Sequence, residues 1–484
     1  MCKHGSFILL CMALYLAASE ICIAGGFHMV EHSGSGMGRA CSGEAAVGDD
    51  ASIIASNPAG MSLFNKSQFV GMVAYVRPAG EMFVERSSIE MKMKLFSIQQ
   101  KTSVEVQGNQ TGNAFSGGSV MPTLYYVNPV SKNFHFGFGA FSKFGLMQDY
   151  NDDFVGRFLL NQMQMVTFNL NASASYRVGT KWTIGAGVNV VMGQVTMDQF
   201  IPDMATLGGQ TLLSMVDGVL PSAGATQSSS ENLDGGRLLL KGGQTKFVPN
   251  LGVLYNASRR TRFGASYNPG YTLNMGGSIS FRECSSTNAN LLSGMTGVCG
   301  SGFDSEVAIE LPTSMQLSAY HRFADSKLAV HGDVKYTQWS SSGQFQILRE
   351  NSDTAQTEIF FDASHQYQDT FRYALGLTYN YSQKITLRTG AAFDQGFSKS
   401  GDYSLNGSDT DRYIFGLGGR YKVSDKLTVD LGYLHYFFQR YEVDQELSLA
   451  SYDLGAVAVD ASYQLRGNGL LGLDMLSLQM NWTY

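Results

Sequence analysis

The sequence predicts an all-β protein: a transmembrane antiparallel β-barrel of about fourteen strands with an N-terminal plug inside its lumen. Long stretches alternate apolar and polar residues, as in "FRYALGLTYNY" and the terminal "LSLQMNWTY", and this period of two is typical of β-strands. The apolar faces run for about 9–11 residues, the length of a tilted membrane-crossing strand. Charged residues make up 15% of the 484 residues, against about 25% in soluble proteins.

The first 24 residues are predicted to be a secretory signal peptide. Lys3 and His4 form a short polar start, residues 7–18 form an apolar core, and residues 22–24 form a cleavage site with small residues. We therefore expect the mature chain to start at Gly25. A membrane anchor is the alternative, but a spanning helix needs about 20 apolar residues, and no later stretch reaches that length.

Residues 25–66 do not alternate and are predicted to form the plug. The stretch "SGEAAVGDDASIIASNPAG" is rich in small residues, which allow a backbone to pack closely, and Pro58 fixes a turn within it. A barrel of about fourteen strands is too wide for its own side chains to fill. A compact segment ahead of such a barrel is therefore expected inside the lumen.

Residues 67–484 are predicted to form the barrel, with apolar faces toward lipid and polar faces toward the lumen. A soluble β-sandwich would direct the apolar faces inward instead. Aromatic residues near the segment ends match the girdles of membrane barrels. Four arginines fall on the lumenal faces, where we expect them to pair with interior acids such as Asp430 and Asp333 or with the plug; a ligand carboxylate is the alternative partner. They are Arg372, Arg388, Arg412 and Arg420.

Short connections such as residues 381–384 and 423–426 are predicted periplasmic turns, and four longer ones should face outward: residues 148–165, 201–245, 280–305 and 344–370. In the 201–245 connection, Met204, Leu207 and Leu212 belong to a broadly helical apolar pattern. This pattern predicts a landing site for an apolar ligand. Packing of the loop against the barrel rim is the alternative.

Cys284 and Cys299 bracket a loop rich in Ser, Gly and Asn. In an oxidising compartment they could close this loop as a disulfide, with two free thiols as the alternative. Cys41 is left over and is expected to be a buried small residue.

Several function classes are disfavoured by the sequence. With 34 Lys and Arg against 40 Asp and Glu, nothing indicates nucleic-acid binding. "HMVEH" (residues 28–32) fits the inverted zinc-protease pattern, but that chemistry needs both histidines on one helix face, and the glycines on either side oppose a helix. We therefore expect no metal, no other cofactor and no enzymatic activity.

The stretch "GGFHMVEHSGSGMGRACSGEAAVGDDASIIASNPAGMSLF" resembles the N-terminal hatch of the outer-membrane long-chain fatty-acid transporters, the FadL family. "FSKFGL", "YTQWS", "FRYALGLTY" and "LRTGAAFD" resemble the same family in order and spacing, so the resemblance covers the mature chain. It implies a 14-stranded outer-membrane barrel closed by a hatch.

The implied function is passive uptake of hydrophobic molecules, above all long-chain fatty acids. The steps are capture by outer loops, transfer to an interior site, rearrangement of the hatch and lateral exit. The implied partners are a hydrophobic ligand and the lipid and lipopolysaccharide of the outer membrane. A channel for aromatic hydrocarbons is the alternative within transport, and a general porin, a surface adhesin and an outer-membrane hydrolase are alternatives of other classes.

The resemblance also implies site residues. Phe27 matches the apolar N-terminal residue that reaches toward the interior site, and Gly145 matches a kink in the third strand that opens a lateral gap. Arg349 occupies the place of a basic ligand-contacting residue, whereas Gln199 stands where well-studied members have an arginine. The hatch turn corresponds to Asn57, Pro58 and Ala59.

Overall fold

The computed structural model describes residues 28–95, 98–115, 117–203, 233–284, 302–324, 327–350, 357–362, 364–405, 409–453 and 457–484. Before the first long strand, the N-terminal segment (residues 28–67) contains helices α1 (Gly34–Met37) and α2 (Ile53–Ser56) and a 3₁₀ helix (Pro58–Leu63). Ser33 caps α1 by accepting a hydrogen bond from the Gly36 N–H at 2.9 Å. Helices this short are unstable alone, so their packing against the barrel must hold them.

The rest of the described chain is almost entirely strand. The strands are β1 (Gln68–Leu95), β2 (Ile98–Glu105), β3 (Thr111–Asn113), β4 (Ser119–Pro129), β5 (Phe134–Phe141), β6 (Gly145–Asp149), β7 (Gln162–Val178), β8 (Trp182–Pro202), β9 (Asp234–Asn256), β10 (Thr261–Asn268), β11 (Tyr271–Arg282), β12 (Gly302–Leu311), β13 (Ser314–Arg322), β14 (Leu328–Thr337), β15 (Phe345–Glu350), β16 (Thr357–Asp362), β17 (Thr370–Tyr379), β18 (Ile385–Asp394), β19 (Arg412–Lys422), β20 (Leu427–Phe438), β21 (Tyr441–Asp453) and β22 (Val457–Thr483).

These segments form one closed antiparallel barrel of 14 strands, because several barrel strands are split into collinear pieces. For example, β10 and β11 both pair with β9, and β5 and β6 both pair with β7. The barrel closes where β1 pairs with β22 along one edge and with β4 along the other. The predicted fold class is confirmed.

The apolar faces of the strands point outward and the polar faces point inward, as the alternation predicts. On the outer face, Leu375 is 62% exposed and Leu431 is 56% exposed. On the inner face, Arg388 is 4% exposed and Asp430 is fully buried. A sandwich would bury the leucines and expose the charges, so the arrangement excludes it. Among the described residues, no helix has both the length and the hydropathy that a membrane crossing requires.

All four segments predicted as outward loops contain some strand, and two of them contain much more than expected. β9 begins at Asp234, inside the predicted 201–245 connection, because it pairs there with β8 and β11. The 344–370 connection contains the hairpin of β15 and β16. Both extensions continue barrel strands beyond the length that alternation alone would assign.

The N-terminal segment lies against the inner faces of strands on different sides of the barrel. A Cβ atom on Gly264 of β10 would collide with the Ala45 carbonyl, and one on Gly390 of β18 would collide with the Arg39 carbonyl. Glycine at these inward positions therefore lets the two backbones touch. This contact explains why glycine recurs on the polar faces of the strands.

Candidate binding site and wall opening in the barrel interior

The turn formed by Asn57, Pro58 and Ala59 is fixed to the barrel wall. The Asn57 side-chain amide donates to the carbonyls of Ala45 (2.7 Å) and Val253 (3.0 Å), and its oxygen accepts from the Ala59 N–H at 3.0 Å. Asn57 is fully buried, so each of these polar atoms is satisfied inside the protein. The turn is thus an attachment point between the N-terminal segment and β9.

Ion pairs join the middle of the N-terminal segment to the wall. Arg388 pairs with Asp49 (3.1 Å) and Asp430 (2.7 Å), and Arg420 pairs with Asp50 (3.1 Å) and Asp430 (2.8 Å). The expected pairing of lumenal arginines is therefore present. The other two lumenal arginines are paired as well. Arg372 pairs with Asp333 and donates to the Ala40 carbonyl, and Arg412 pairs with Asp394 and Asp409.

The pKa values of two acids of the N-terminal segment, Asp49 and Glu44, are shifted in opposite directions. Burial would raise the pKa of Asp49, but the guanidinium groups of Arg388 and Arg39 hold that pKa below its usual range. Burial raises the pKa of Glu44 to about 7, although Arg39 opposes the shift from 2.8 Å. Asp49 is therefore ionised at neutral pH, and Glu44 titrates near it.

The barrel wall is interrupted between its second and third strands. The ladder between β4 and β5 ends at the pair Leu124–Ala140, and β6 continues the ladder to β7 alone. Between β5 and β6, Ser142, Lys143 and Phe144 are buried. Gly145 is the first residue of β6, so it lies directly after the break rather than at its centre.

The start of the described chain is attached to this break. His28 forms an antiparallel bridge with Phe144, and its ring stacks on the Phe144 ring with centroids 4.8 Å apart. The Met29 N–H donates to the Lys143 carbonyl at 2.8 Å. Phe27, the residue that resemblance assigns to the ligand site, is outside the described residues and precedes this bridge by one position.

An apolar pocket lies near the interruption, and one of its lining residues pairs with β6 just past the break. Met165 of β7 lines it, and Met165 is the ladder partner of Leu146 on β6. The other apolar side chains of the lining are Met163, Met197, Ile309, Leu311, Trp339, Phe345 and Tyr367. Sequence reasoning missed this pocket because its residues come from separate strands; the inward methionines of "QMQMV" are the one local signal.

The other expected site residues are dispersed. The Arg349 guanidinium lies 5.6 Å from the centroid of the Phe303 ring, and the Gln199 side-chain amide donates to the Phe158 carbonyl. Met204, Leu207 and Leu212 lie outside the described residues. Cys284 is disulfide-bonded, but Cys299 also lies outside them, so that pairing stays a prediction. Cys41 is a buried free cysteine, as expected.

The zinc-protease pattern does not adopt the geometry it would need. Residues 29–33 are not helical, so His28 and His32 do not share a helix face. The Glu31 carboxylate accepts hydrogen bonds from the Tyr436 hydroxyl and the Val30 N–H. Within the described ranges, no group of three His, Cys, Asp or Glu residues is placed to hold a metal ion.

Comparison with known proteins gives consistent matches over nearly the whole chain. Residues 15–471 match the model of the family "Outer membrane protein transport protein (OMPP1/FadL/TodX)". The chain is 31% identical over 438 residues to outer membrane protein P1 of Haemophilus influenzae, covering 88% of this chain and 89% of that one. It is 28% identical over 436 residues to the long-chain fatty acid transport protein of Escherichia coli K12, covering 88% and 91%.

Solved structures share the fold. A Pseudomonas aeruginosa FadL homologue superposes with a TM-score of 0.76 at 20% identity, covering 95% of this chain and 99% of that one. The toluene transporter TodX of P. putida superposes with a TM-score of 0.60 at 17% identity, covering 94% and 99%.

Proposed function

The chain belongs to the outer membrane protein transport family (OMPP1/FadL/TodX), whose members carry hydrophobic compounds across the outer membrane, and we propose that it takes up long-chain fatty acids passively. The observation on which this rests is an apolar pocket lined by Met165, whose ladder partner Leu146 lies two residues past the break in the wall. A pocket of this kind suits an acyl chain, and an interruption beside it suits a sideways exit.

In this proposal the predicted plug, residues 25–66, blocks the lumen and also controls release of the ligand. Burying an acyl chain gains about 0.8 kcal/mol per CH₂, so a chain of about 16 carbons gains on the order of 10 kcal/mol. Binding that strong would hold the ligand in the barrel. Release therefore needs the pocket to be weakened. The bridge between His28 and Phe144 connects the start of the N-terminal segment (residues 28–32, the arm) to the strand break, where that change would act.

The route begins at outer loops, which include Met204, Leu207 and Leu212, and ends beside Gly145. Lipid and lipopolysaccharide surround the apolar outer face. The protein acts as a transporter and not as an enzyme, in line with its family. Uptake of aromatic hydrocarbons is the second candidate, because Gln199 provides an amide bonded to the Phe158 carbonyl where a charged group would suit a fatty acid.

Binding of radiolabelled oleate and radiolabelled toluene to the purified barrel distinguishes these substrates. We expect saturable oleate binding and weak toluene binding; the reverse order would favour the aromatic substrate. The sideways exit is tested by Gly145→Trp, which should reduce oleate uptake by cells while oleate binding persists. Gly276→Trp is the matched control, because an added Cβ on Gly276 meets open space. Normal uptake by Gly145→Trp would rule out that exit.

A further inference from the structure

The connections at one end of the barrel are all short and all basic. They join β4 to β5, β7 to β8, β9 to β10, β13 to β14, β17 to β18 and β19 to β20, and residues 65–67 enter β1 at the same end. Each of these connections contains at least one exposed Lys or Arg. We call this set the basic ring. Its members are Lys66, Lys132, Lys181, Arg259, Arg260, Lys327, Lys384 and Lys426.

The backbone places members of the ring at equivalent positions. The Lys181 carbonyl accepts from the Asn256 N–H of the neighbouring strand, and the Lys327 carbonyl accepts from the Asn380 N–H, both at 2.8 Å. The same bond to the next strand end recurs with the carbonyls of Arg260, Lys384 and Lys426. With strands about 4.8 Å apart and tilted by about 40°, consecutive connections lie about 12–13 Å apart. The positive charges are therefore distributed around the whole rim.

The charge of the basic ring is not balanced locally. Within the part of the chain that the structure describes, these connections contain one acid, Asp425, and it pairs with Lys422 at the end of β19 (2.7 Å). No described carboxylate oxygen lies within 4.0 Å of a charged nitrogen of the ring. Asp325 belongs to one of the connections but lies outside the described residues. Since the whole chain has a net charge of −6, this rim is positive against the average of the molecule.

The basic ring borders the apolar outer face of the barrel. Lys181 precedes Trp182, which is 51% exposed, and the Lys426 carbonyl accepts from the residue after Trp482, which is 45% exposed. Further exposed aromatic residues lie near the same end: Phe134, Tyr176, Phe263, Phe323, Tyr379, Tyr381, Tyr421 and Tyr484. Such a girdle marks the boundary between lipid hydrocarbon and headgroups. Lysine and arginine side chains just beyond it extend to the level of the headgroups.

The short connections also identify the side of the membrane. In outer-membrane barrels the short turns are periplasmic and the longer loops are extracellular. The ring therefore lies at the periplasmic leaflet, which consists of phospholipids. Ammonium and guanidinium groups donate charge-assisted hydrogen bonds to phosphate oxygens. A basic segment at a membrane surface is attracted to lipids with a net negative charge, whereas zwitterionic lipids have none.

We propose that the basic ring binds the headgroups of anionic phospholipids in the periplasmic leaflet of the outer membrane. The distribution of the charge favours lipid over a protein partner, because a protein would contact one patch of the rim, whereas every short connection is basic. The ring thus selects anionic lipids around the barrel and keeps its aromatic girdle at the depth of the headgroups. This inference goes beyond the proposed function and does not depend on the transported substrate.

Trp182 and Trp482 provide the readout, because both lie beside the ring and face outward. The purified full chain is reconstituted in bilayers of dioleoylphosphatidylcholine that contain a fixed fraction of either brominated phosphatidylglycerol or brominated phosphatidylcholine. Bromines on the acyl chains quench tryptophan on contact. Stronger quenching by the brominated phosphatidylglycerol measures the preference of the protein surface for the anionic lipid. Trp339 is 6% exposed and contributes a constant background.

For the wild-type protein we expect a preference for phosphatidylglycerol of about fivefold at low salt, the factor that one basic residue near an anionic surface provides. Raising the salt from about 0.05 M to about 0.5 M should reduce this preference, because the charges are exposed. In the variant Lys66→Gln/Lys181→Gln/Arg259→Gln/Lys426→Gln, the preference should fall to about twofold or less. Quenching by brominated phosphatidylcholine should not change, which shows that the variant is folded and inserted.

The matched control is Lys92→Gln/Lys101→Gln/Lys241→Gln/Lys399→Gln. It removes the same charge from exposed positions at the opposite end of the barrel, so it should keep the full preference.

Three results would overturn the inference. They are equal quenching of the wild-type protein by the two lipids, a preference that persists unchanged in the ring variant, and a preference that does not respond to salt. Equal quenching would leave an acidic periplasmic protein as the partner of the ring. Because no transported substrate enters the assay, none of these results bears on the proposed function.

Discussion

The middle and the start of the N-terminal segment contact the barrel in different ways. Residues 39–50 are joined to the wall by buried ion pairs, with Arg388 and Arg420 on the barrel side. Residues 28–32 are joined to it by a backbone bridge, ring stacking and hydrogen bonds such as that from the Tyr125 hydroxyl to the His32 carbonyl (3.1 Å). Among the described residues, no ion pair within 4.0 Å involves this arm.

This difference distinguishes a fixed part, residues 39–50, from an arm, residues 28–32, that should cost less to move. Breaking a buried ion pair leaves an uncompensated charge and costs about 3–5 kcal/mol. Neutral hydrogen bonds contribute about 1 kcal/mol each, because water replaces them when they break. The bonds of the arm that involve a charged group, from Tyr436 to Glu31 and between Lys335 and His28, contribute about 1.5–3 kcal/mol each. We therefore expect rearrangement of the arm to be less costly than release of the middle, so that the middle stays attached to the wall while the arm changes position. This comparison makes three predictions.

The largest effect should follow loss of the barrel carboxylate that joins the two arginines to which the fixed part is attached. Asp430 accepts from Arg388, Arg420 and Asn481, at 2.7, 2.8 and 2.6 Å. We expect Asp430→Ala to lower the free energy of unfolding by about 3–5 kcal/mol, because two buried guanidinium groups lose a counter-charge. Arg388 and Arg420 also pair with Asp49 and Asp50 of the segment. Without Asp430 to orient these arginines, we expect the segment to be held less well and ion conductance in planar bilayers to rise.

Asp425→Asn is the control for that variant. Asp425 is 94% exposed and pairs with Lys422 at a turn, so its loss should change neither stability nor conductance. If Asp430→Ala is destabilised but conducts no better than the wild-type protein, the ion pairs do not hold a seal. In that case the comparison between the fixed and movable parts fails.

The second prediction concerns the arm. His28 and Phe144 are bridge partners, and cross-strand Cβ atoms lie about 4.5–5.5 Å apart, close enough for an engineered disulfide after a small adjustment. The double variant His28→Cys/Phe144→Cys should block oleate uptake when oxidised and recover it when reduced. Thermal stability should change little, because the fixed part is untouched.

Each single cysteine variant is the control for the lost ring contacts, and the wild-type protein is assayed with and without reductant because Cys284 is disulfide-bonded. If the oxidised double variant imports oleate at the normal rate, the arm does not need to leave the strand break during uptake. The assay compares initial uptake rates, so a slow leak does not hide the block.

Much of the barrel was predictable from the sequence, because alternation is a local property. "FRYALGLTYNY" assigns Arg372 and Leu375 to opposite faces without knowledge of any neighbour. The same local pattern separates the non-alternating residues 25–66 from the strands. The N-terminal resemblance led to Asn57, Pro58 and Ala59, which the structure places in one buried turn.

The interior sites were not predictable, because they depend on contacts across the lumen. Alternation places Lys335 inside the barrel but does not show that Lys143 lines the same interior cavity. Lys143 reaches that cavity because the wall breaks at residues 142–144, and no period-two pattern marks a break. Likewise, alternation places Gly264 on an inner face but does not show that the N-terminal backbone contacts it there.

The smallest predicted effect is a pH dependence within the fixed part. Burial raises the pKa of Glu44 to about 7 in the folded protein, against about 4.3 in an unfolded chain. The folded state thus binds this proton more tightly, and the stabilisation is complete below pH 4.3 and is lost as the pH rises through 7. Asp49, whose pKa lies below its usual range, contributes in the opposite direction and only in acid.

Glu44→Gln isolates this contribution, because glutamine still offers an oxygen to Arg39 but does not titrate. We expect the melting temperature of the wild-type protein to fall relative to that of Glu44→Gln between pH 5 and pH 8, by the equivalent of at most about 3 kcal/mol. Parallel melting curves for the two proteins across this range would mean that the Arg39 guanidinium keeps Glu44 ionised throughout. The fixed part would then be held by ion pairs alone, and its stability would be independent of pH near neutrality.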